Sequence, residues 1–220
     1  MAGKNRRDVL TMLGVGGAAV LAGGVAAGAP GRAAADAEDD SRARTQERYL
    51  PNVELLTHEG RKVRFYDDLV KNKIVLINFM YAECTGICPG ITANLQRVQK
   101  LLGDRVGRDI FMYSVTLTPE KDTPRKLWEY VKMHRIEPGW TFLTGKPDDV
   151  ELLRRRLGFY TSNQKNDKDK TNHTGMVRYG NEPRQWWGMC PGQAKPEWIV
   201  ETIHWMDGPK PQQPKANATE

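Results

Sequence analysis

Two cysteines four residues apart, Cys84 and Cys88, stand in the stretch FMYAECTGICPGIT, where an apolar run meets a proline. Pro89 suits the first turn of a helix, where no amide donor is needed. The free amides of such a turn point at Cys88, and the helix dipole favours negative charge there. Both effects lower a thiol pKa. Gly86 gives the intervening loop freedom to bring the two sulfurs to one point. A pair so placed can close a disulfide or offer two thiolates to one metal ion, and the pair alone does not choose between them. Inert cysteines sit in apolar surroundings rather than at helix starts, which makes a purely packing role the weakest reading.

The chain has four histidines. His58 falls in a hairpin turn, His134 near a helix C-terminus, where a charged imidazole is favourable, and His204 inside a helix; packing accounts for all three. His173 differs. It closes the polar loop SNQKNDKDKTNH and directly precedes a strand. Two thiolates and one imidazole form a soft, low-coordinate set that suits copper, above all Cu(I). Zinc would require a fourth ligand, and none is evident. The third cysteine, Cys190 in GMCPG, is expected in the loop before the last helix. It is either a resolving thiol, an added copper ligand, a docking point or a partly buried cysteine, and the last reading is favoured. Met189 and Met176 are soft donors by type, and core filler on the plainer reading.

These side chains need a frame. Lys73–Phe79 (KIVLINF) is β-branched and apolar and predicts a central strand; Ile110–Thr116 predicts a second. Between them Ile91, Leu95, Val98 and Leu102 recur at helical spacing over Pro89–Leu102. Thr123 as N-cap and Pro124 at the first position open a helix over Thr123–Arg135. A short strand over Thr141–Leu143 leads to a helix over Pro147–Leu157. Val53–Leu56 with Lys62–Phe65, and Gly175–Tyr179 with Arg184–Gly188, predict hairpins. A final helix spans Pro196–Met206. Strands alternating with helices argue a mixed sheet with helices on both faces. A β-α-β unit followed by a hairpin and a last helix is a thioredoxin-like order. In such a sheet the strand after His173 starts facing the cysteine loop.

With 220 residues, 39% of them hydrophobic and 27% charged, the chain is of a size for one ordinary domain with extensions. Neither a multi-span membrane protein nor bulk disorder fits. Half of the +6 net charge lies in residues 1–35, where Lys4, Arg6, Arg7 and Arg32 face only Asp8. The remainder is too mild, and too free of basic–aromatic runs, for nucleic acid.

The paired arginines precede a weakly apolar stretch, Val9–Ala29, with six glycines between Gly14 and Gly28, and Ala33-Ala34-Ala35 follows. This pattern predicts a twin-arginine-type export signal over residues 1–35, with an uncleaved anchor as the competing reading. Either way the domain is expected outside the cytoplasm, in the periplasm or at the extracytoplasmic face of the membrane. Residues 36–48 (DAEDDSRARTQER) read as a polar linker, residues 49–207 as the folded domain, and the Pro-rich residues 208–220 as a disordered tail. Trp186, Trp187 and Trp198 are either core or a docking surface.

Over roughly residues 50–206 the chain resembles the Sco/SenC family of copper-binding, thioredoxin-like proteins. The resemblance rests on the strand leading into Cys84-Thr-Gly-Ile-Cys88-Pro89, on SVTLTPEKDTPRKLWEY after the second strand, and on the downstream His173 at a strand start. It implies that Cys84, Cys88 and His173 bind one copper ion, as Cu(I) or Cu(II). Family members mainly serve assembly of the CuA centre of cytochrome c oxidase, delivering copper, reducing the target's cysteines, or both. The implied partners are a copper-enzyme client such as cytochrome c oxidase subunit II and a thiol reductant. Thr118 stands where the family usually has Asp, although Glu120 and Asp122 remain, and Cys190 is additional. The competing function is a thiol–disulfide oxidoreductase in which Cys84 attacks and Cys88 resolves, without need of His173. Peroxide scavenging ranks last, for want of a Thr-x-x-Cys arrangement.

Overall fold

A computed structural model describes residues 30–163, 167 and 175–208, with side chains from residue 40 onward. Strand β3 (Ile74–Met80) lies at the centre and pairs in parallel with β4 (Ile110–Thr116), which pairs in parallel with β5 (Trp140–Gly145). On one side β1 (Glu54–Thr57) runs antiparallel to β5 and carries β2 (Lys62–Arg64) in a hairpin. On the other, β6 (Met176–Asn181) runs antiparallel to β3 and carries β7 (Trp186–Pro191). The sheet order is β2-β1-β5-β4-β3-β6-β7. This is the expected thioredoxin-like mixed sheet with an N-terminal hairpin.

Helices cover both faces because the central strands are apolar on both sides. Leu76, Met80, Met112, Trp140 and Phe142 point to one face. There they meet α2 (Ile87–Leu102), α3 (Pro124–Met133) and α5 (Pro196–Trp205) through Ile91, Leu95, Val98, Leu127, Ile199 and Ile203. Val75, Ile77, Phe79, Tyr113, Val115 and Leu143 point to the other. They pack on α4 (Pro147–Arg156) and on a one-turn π-helix over Phe65–Val70. The N-cap of α3 is as expected: Thr123 Oγ1 accepts from Lys126 N–H at 3.3 Å, with Pro124 behind it.

Three boundaries differ in ways that matter. Helix α2 begins at Ile87, capped by Gly86, so Cys88 is inside the first turn rather than just before it. Pro89 is still among the first residues, whose amides have no helical acceptor. Cys190 is in strand β7, paired with Val177, and not in a loop. The glycine and proline around it mark the strand's end, not a free segment.

Residues 36–48, expected as a linker, belong to the helix α1 (Pro30–Tyr49). Its Ala, Arg, Glu and Gln content favours helix, but it has no apolar stripe, so period alone does not reveal it. It docks through charge instead. Arg42 donates from Nε and Nη2 to Glu182 at 2.6 and 2.5 Å. Glu182 is fully buried and also accepts from Tyr66 Oη at 2.9 Å and Asn72 N–H at 2.8 Å. Leu50, the residue after α1, is buried in the second core. Residues 1–29 and 209–220, with most of the expected export signal and tail, lie outside the described residues.

Burial pushes the Glu182 carboxyl up, but Arg42, the Asn72 amide and the Tyr66 hydroxyl outweigh it and hold it below the ordinary carboxylate range. Such a group stabilises the fold above its unfolded pKa and loses that contribution as pH falls through the folded one. Arg42→Met should therefore cost about 2 kcal/mol at neutral pH in urea denaturation, less than the ~3–5 kcal/mol of a fully buried pair because Arg42 is itself partly exposed. The wild-type advantage over Glu182→Gln should shrink below about pH 4.

Candidate functional site

The site grows from the register of two strands. Met80 at the end of β3 lies beside Thr116 at the end of β4. Leu117 N–H donates to Met80 O at 2.7 Å, so both chains leave the sheet at one level. After β3 the chain turns through residues 81–86, with Cys84 N–H donating to Tyr81 O at 3.2 Å, and enters α2. Cys84 is 9% exposed and Cys88 2% exposed, and neither forms a disulfide.

The two thiols are unequal. Burial opposes the Cys84 thiolate, but hydrogen bonds from the Cys88 side chain and amide, from Tyr81 and from the Gly86 amide outweigh it. The Cys84 thiol is drawn below its ordinary range. Burial pushes Cys88 up to about 12, and its hydrogen bond to Cys84 adds to the rise. The expectation that the helix start lowers Cys88 is therefore overturned: the amides of Gly86 and Cys88 favour the Cys84 thiolate, while the deeper Cys88 follows its burial and donates to Cys84.

A buried carboxylate lies beneath this loop: Asp122, which the sequence marks only as an acid remaining in the segment after the second strand. Asp122 Oδ2 accepts from Ala82 N–H at 3.0 Å, Thr116 Oγ1 at 2.5 Å and Thr118 Oγ1 at 3.2 Å. Its place just before the Thr123-Pro124 cap gives no sign of its contact with the cysteine loop 40 residues away. Above it, exposed Lys126 of α3 pairs with Glu83 of the loop.

His173 lies outside the described residues. The chain resumes at Gly175, whose positive φ of 60° favours glycine. A Cβ there would stand 2.8 Å from Ile87 Cδ1, in the residue before Cys88. Gly192 N–H donates to Gly175 O at 2.8 Å, and Asn94 of α2 donates to Gly192 O and Ala194 O at 2.9 and 2.7 Å. The entry to β6 is thereby clamped on the first turns of α2. Earlier in the chain, buried Asp167 accepts from Arg154 at 2.8 and 2.9 Å and from Arg155 at 2.8 Å. Among the described residues no group of three His, Cys, Asp or Glu side chains could hold one metal ion.

Cys190 shares the apolar cluster of Cys84 and Cys88, but it is 1% exposed and burial raises its thiol to about 11. It is more fully buried than the partly buried cysteine expected. Met176 and Met189 pack against the opposite face of the sheet, so neither joins the cysteine pair as a soft donor. His58 Nδ1 accepts from Phe142 N–H at 3.2 Å, and burial lowers its pKa. His134 caps α3 as expected, yet burial against Tyr130 lowers its pKa, so the neutral ring is favoured over the charged one. Trp186 and Trp198 are exposed, and Trp187 packs against the second core.

Fold and site together define a thioredoxin-like domain whose cysteine pair opens the helix after the central strand. The SCO1/SenC family profile matches residues 41–207, and the chain belongs to that family. Protein sco1 of Schizosaccharomyces pombe is 27% identical over 112 residues, covering 51% of this chain and 41% of that protein. The SCO1 protein homolog of Bacillus subtilis is 31% identical over 88 residues, covering 40% and 44%. Each match therefore spans less than half of the relative's own length. Among solved structures, Bradyrhizobium japonicum ScoI with copper bound superposes with a TM-score of 0.57 at 21% identity, over 70% of this chain and 96% of that one. Yeast Sco1 with copper bound gives 0.56 at 19% identity, over 72% and 92%. These two likenesses show the fold.

The thiol asymmetry predicts an order of modification. With limiting iodoacetamide at neutral pH, the reduced protein should be labelled at Cys84 at least about tenfold faster than at Cys88, as judged by peptide mass spectrometry. Cys190 should stay unlabelled until denaturant is added.

Proposed function

We propose that this chain is an exported copper-binding protein that holds one copper ion on Cys84, Cys88 and His173 and passes it to a copper enzyme. The CuA centre of cytochrome c oxidase subunit II is the client the family suggests. The observation that carries this reading is the meeting of two cysteines not joined in a disulfide, at the turn into α2, with the clamped strand entry at Gly175. His173 is two residues away, within about 7 Å of backbone reach. Two thiolates and an imidazole are soft donors that suit Cu(I) and leave coordination positions for an incoming ligand. Copper is cargo here and leaves by ligand exchange, one donor at a time. The paired arginines ahead of Val9–Ala29 support export. No helix among the described residues is long and apolar enough to cross a membrane.

Anaerobic titration of the reduced protein with Cu(I) against a competing chelator tests this. One equivalent should bind, His173→Ala should weaken it at least tenfold, and Cys84→Ser or Cys88→Ser should abolish it. A reduced protein that yields all copper to a modest competitor would overturn the reading.

The unequal thiols favour a second activity at the same pair. The Cys84 thiolate attacks a target disulfide, forming a mixed disulfide and releasing one target thiolate. Cys88 then loses its proton and attacks the Cys84 sulfur, closing the Cys84–Cys88 disulfide and releasing the second target thiol. Two electrons pass to the target, and an external thiol reductant restores the pair. His173→Ala should leave this exchange within about twofold of wild type, and Cys84→Ser should abolish it, as followed by reduction of a small aromatic disulfide.

A further inference from the structure

Asp122 is 1% exposed, and Lys126, whose ammonium feels its charge, is paired with Glu83 instead. A carboxylate buried without a counter-ion is costly unless donors satisfy it. Here three donors converge on one oxygen, and each belongs to a different part of the site. Thr116 ends β4, Thr118 opens the following turn, and Ala82 lies in the cysteine loop two residues before Cys84. The turn itself is closed by Asp122 N–H donating to Thr118 O at 2.9 Å. The carboxylate is therefore fixed to the sheet on one side and grips the cysteine loop on the other. The loop's second end is fixed by α2. Only residues 83–86 lie between the Ala82 tether and the helix that carries Cys88. Thr118 is part of the arrangement: it presents a hydroxyl donor to Asp122, where an aspartate would set a second carboxylate against the first.

We propose that Asp122 is the positioning residue of the cysteine pair, holding Ala82 so that the Cys84 sulfur stays against Cys88 and the disulfide closes at high effective concentration. The inference rests on Cys84 and Cys88 being the working pair, yet it does not require copper. Closure converts two thiols into one disulfide and releases two protons and two electrons, which oxidised glutathione accepts as it becomes two reduced glutathiones. The equilibrium is measurable in the whole protein whether or not copper binds. Failure here is thus distinct from failure of the copper reading.

The test is the dithiol–disulfide equilibrium of the intact protein in glutathione buffers, with copper chelated, read by trapping free thiols for mass spectrometry. Asp122→Ala should disfavour the disulfide at least tenfold, which for a two-electron couple is about 30 mV toward a more oxidising potential. Asp122→Asn keeps an amide oxygen for the Ala82 N–H and should restore most of the wild-type equilibrium. Thr123→Ala removes the N-cap of α3 in the same turn without touching Ala82, and should leave the equilibrium within twofold of wild type. If Asp122→Ala leaves the equilibrium unchanged, or Thr123→Ala moves it as far, the role is structural only and the proposal fails. Should Asp122→Ala not fold, Thr116→Val with Thr118→Val strips two of the three donors and must shift the equilibrium in the same direction, and no shift overturns the proposal.

Discussion

The full-length parallel pairing of β3 with β4, from Ile74 opposite Ile110 to Met80 opposite Thr116, sets the conditions for everything around the cysteines. Two parallel strands in register end together, and a helix must carry the chain from the end of one back to the start of the other. The loop between β3 and α2 is therefore short and confined. It is forced against whatever follows β4, here the turn that holds Asp122. Cysteine spacing alone does not bring these parts together. The sheet does so first, and a buried carboxylate and a helix start then use the place it makes.

Much of this frame is legible in the residues. The KIVLINF run, the stripe of Ile91, Leu95, Val98 and Leu102, and the Thr123-Pro124 cap each state a local preference that the tertiary structure keeps. What escapes is held by contacts that leave no period. Helix α1 docks through Arg42 to a glutamate 140 residues away, so its sequence looks like a polar connector. Cys190 reads as loop because Gly188 and Pro191 frame it, yet the neighbouring β6 recruits it into the sheet. Met189 sits beside it in sequence and on the opposite face in space, since alternate strand residues point apart. Asp122 is visible in the sequence as an acid, but only the sheet register reveals its partners in the cysteine loop and at the end of β4.

The two sulfurs show how one scaffold gives like side chains unlike chemistry. Both are buried, and burial alone would make both weak acids. Cys84 differs because the turn's amides and its neighbour's thiol aim at it. Cys88 is the donor in that contact and takes the cost. The sheet face they share also holds Cys190, which has apolar neighbours and no such amides, and its thiol follows burial. Placement within one cluster thus gives three sulfurs three different acidities.

Helix α1 has a mechanical side. Arg42 grips the domain where β3 begins, beside Asn72 and Glu182, which is the end of the sheet away from the cysteines. From Arg42 back to Pro30 the helix continues for about 18 Å. It projects from the far pole. A pull applied through it would load the Arg42–Glu182 contact first and would reach the cysteine loop only through the length of the sheet.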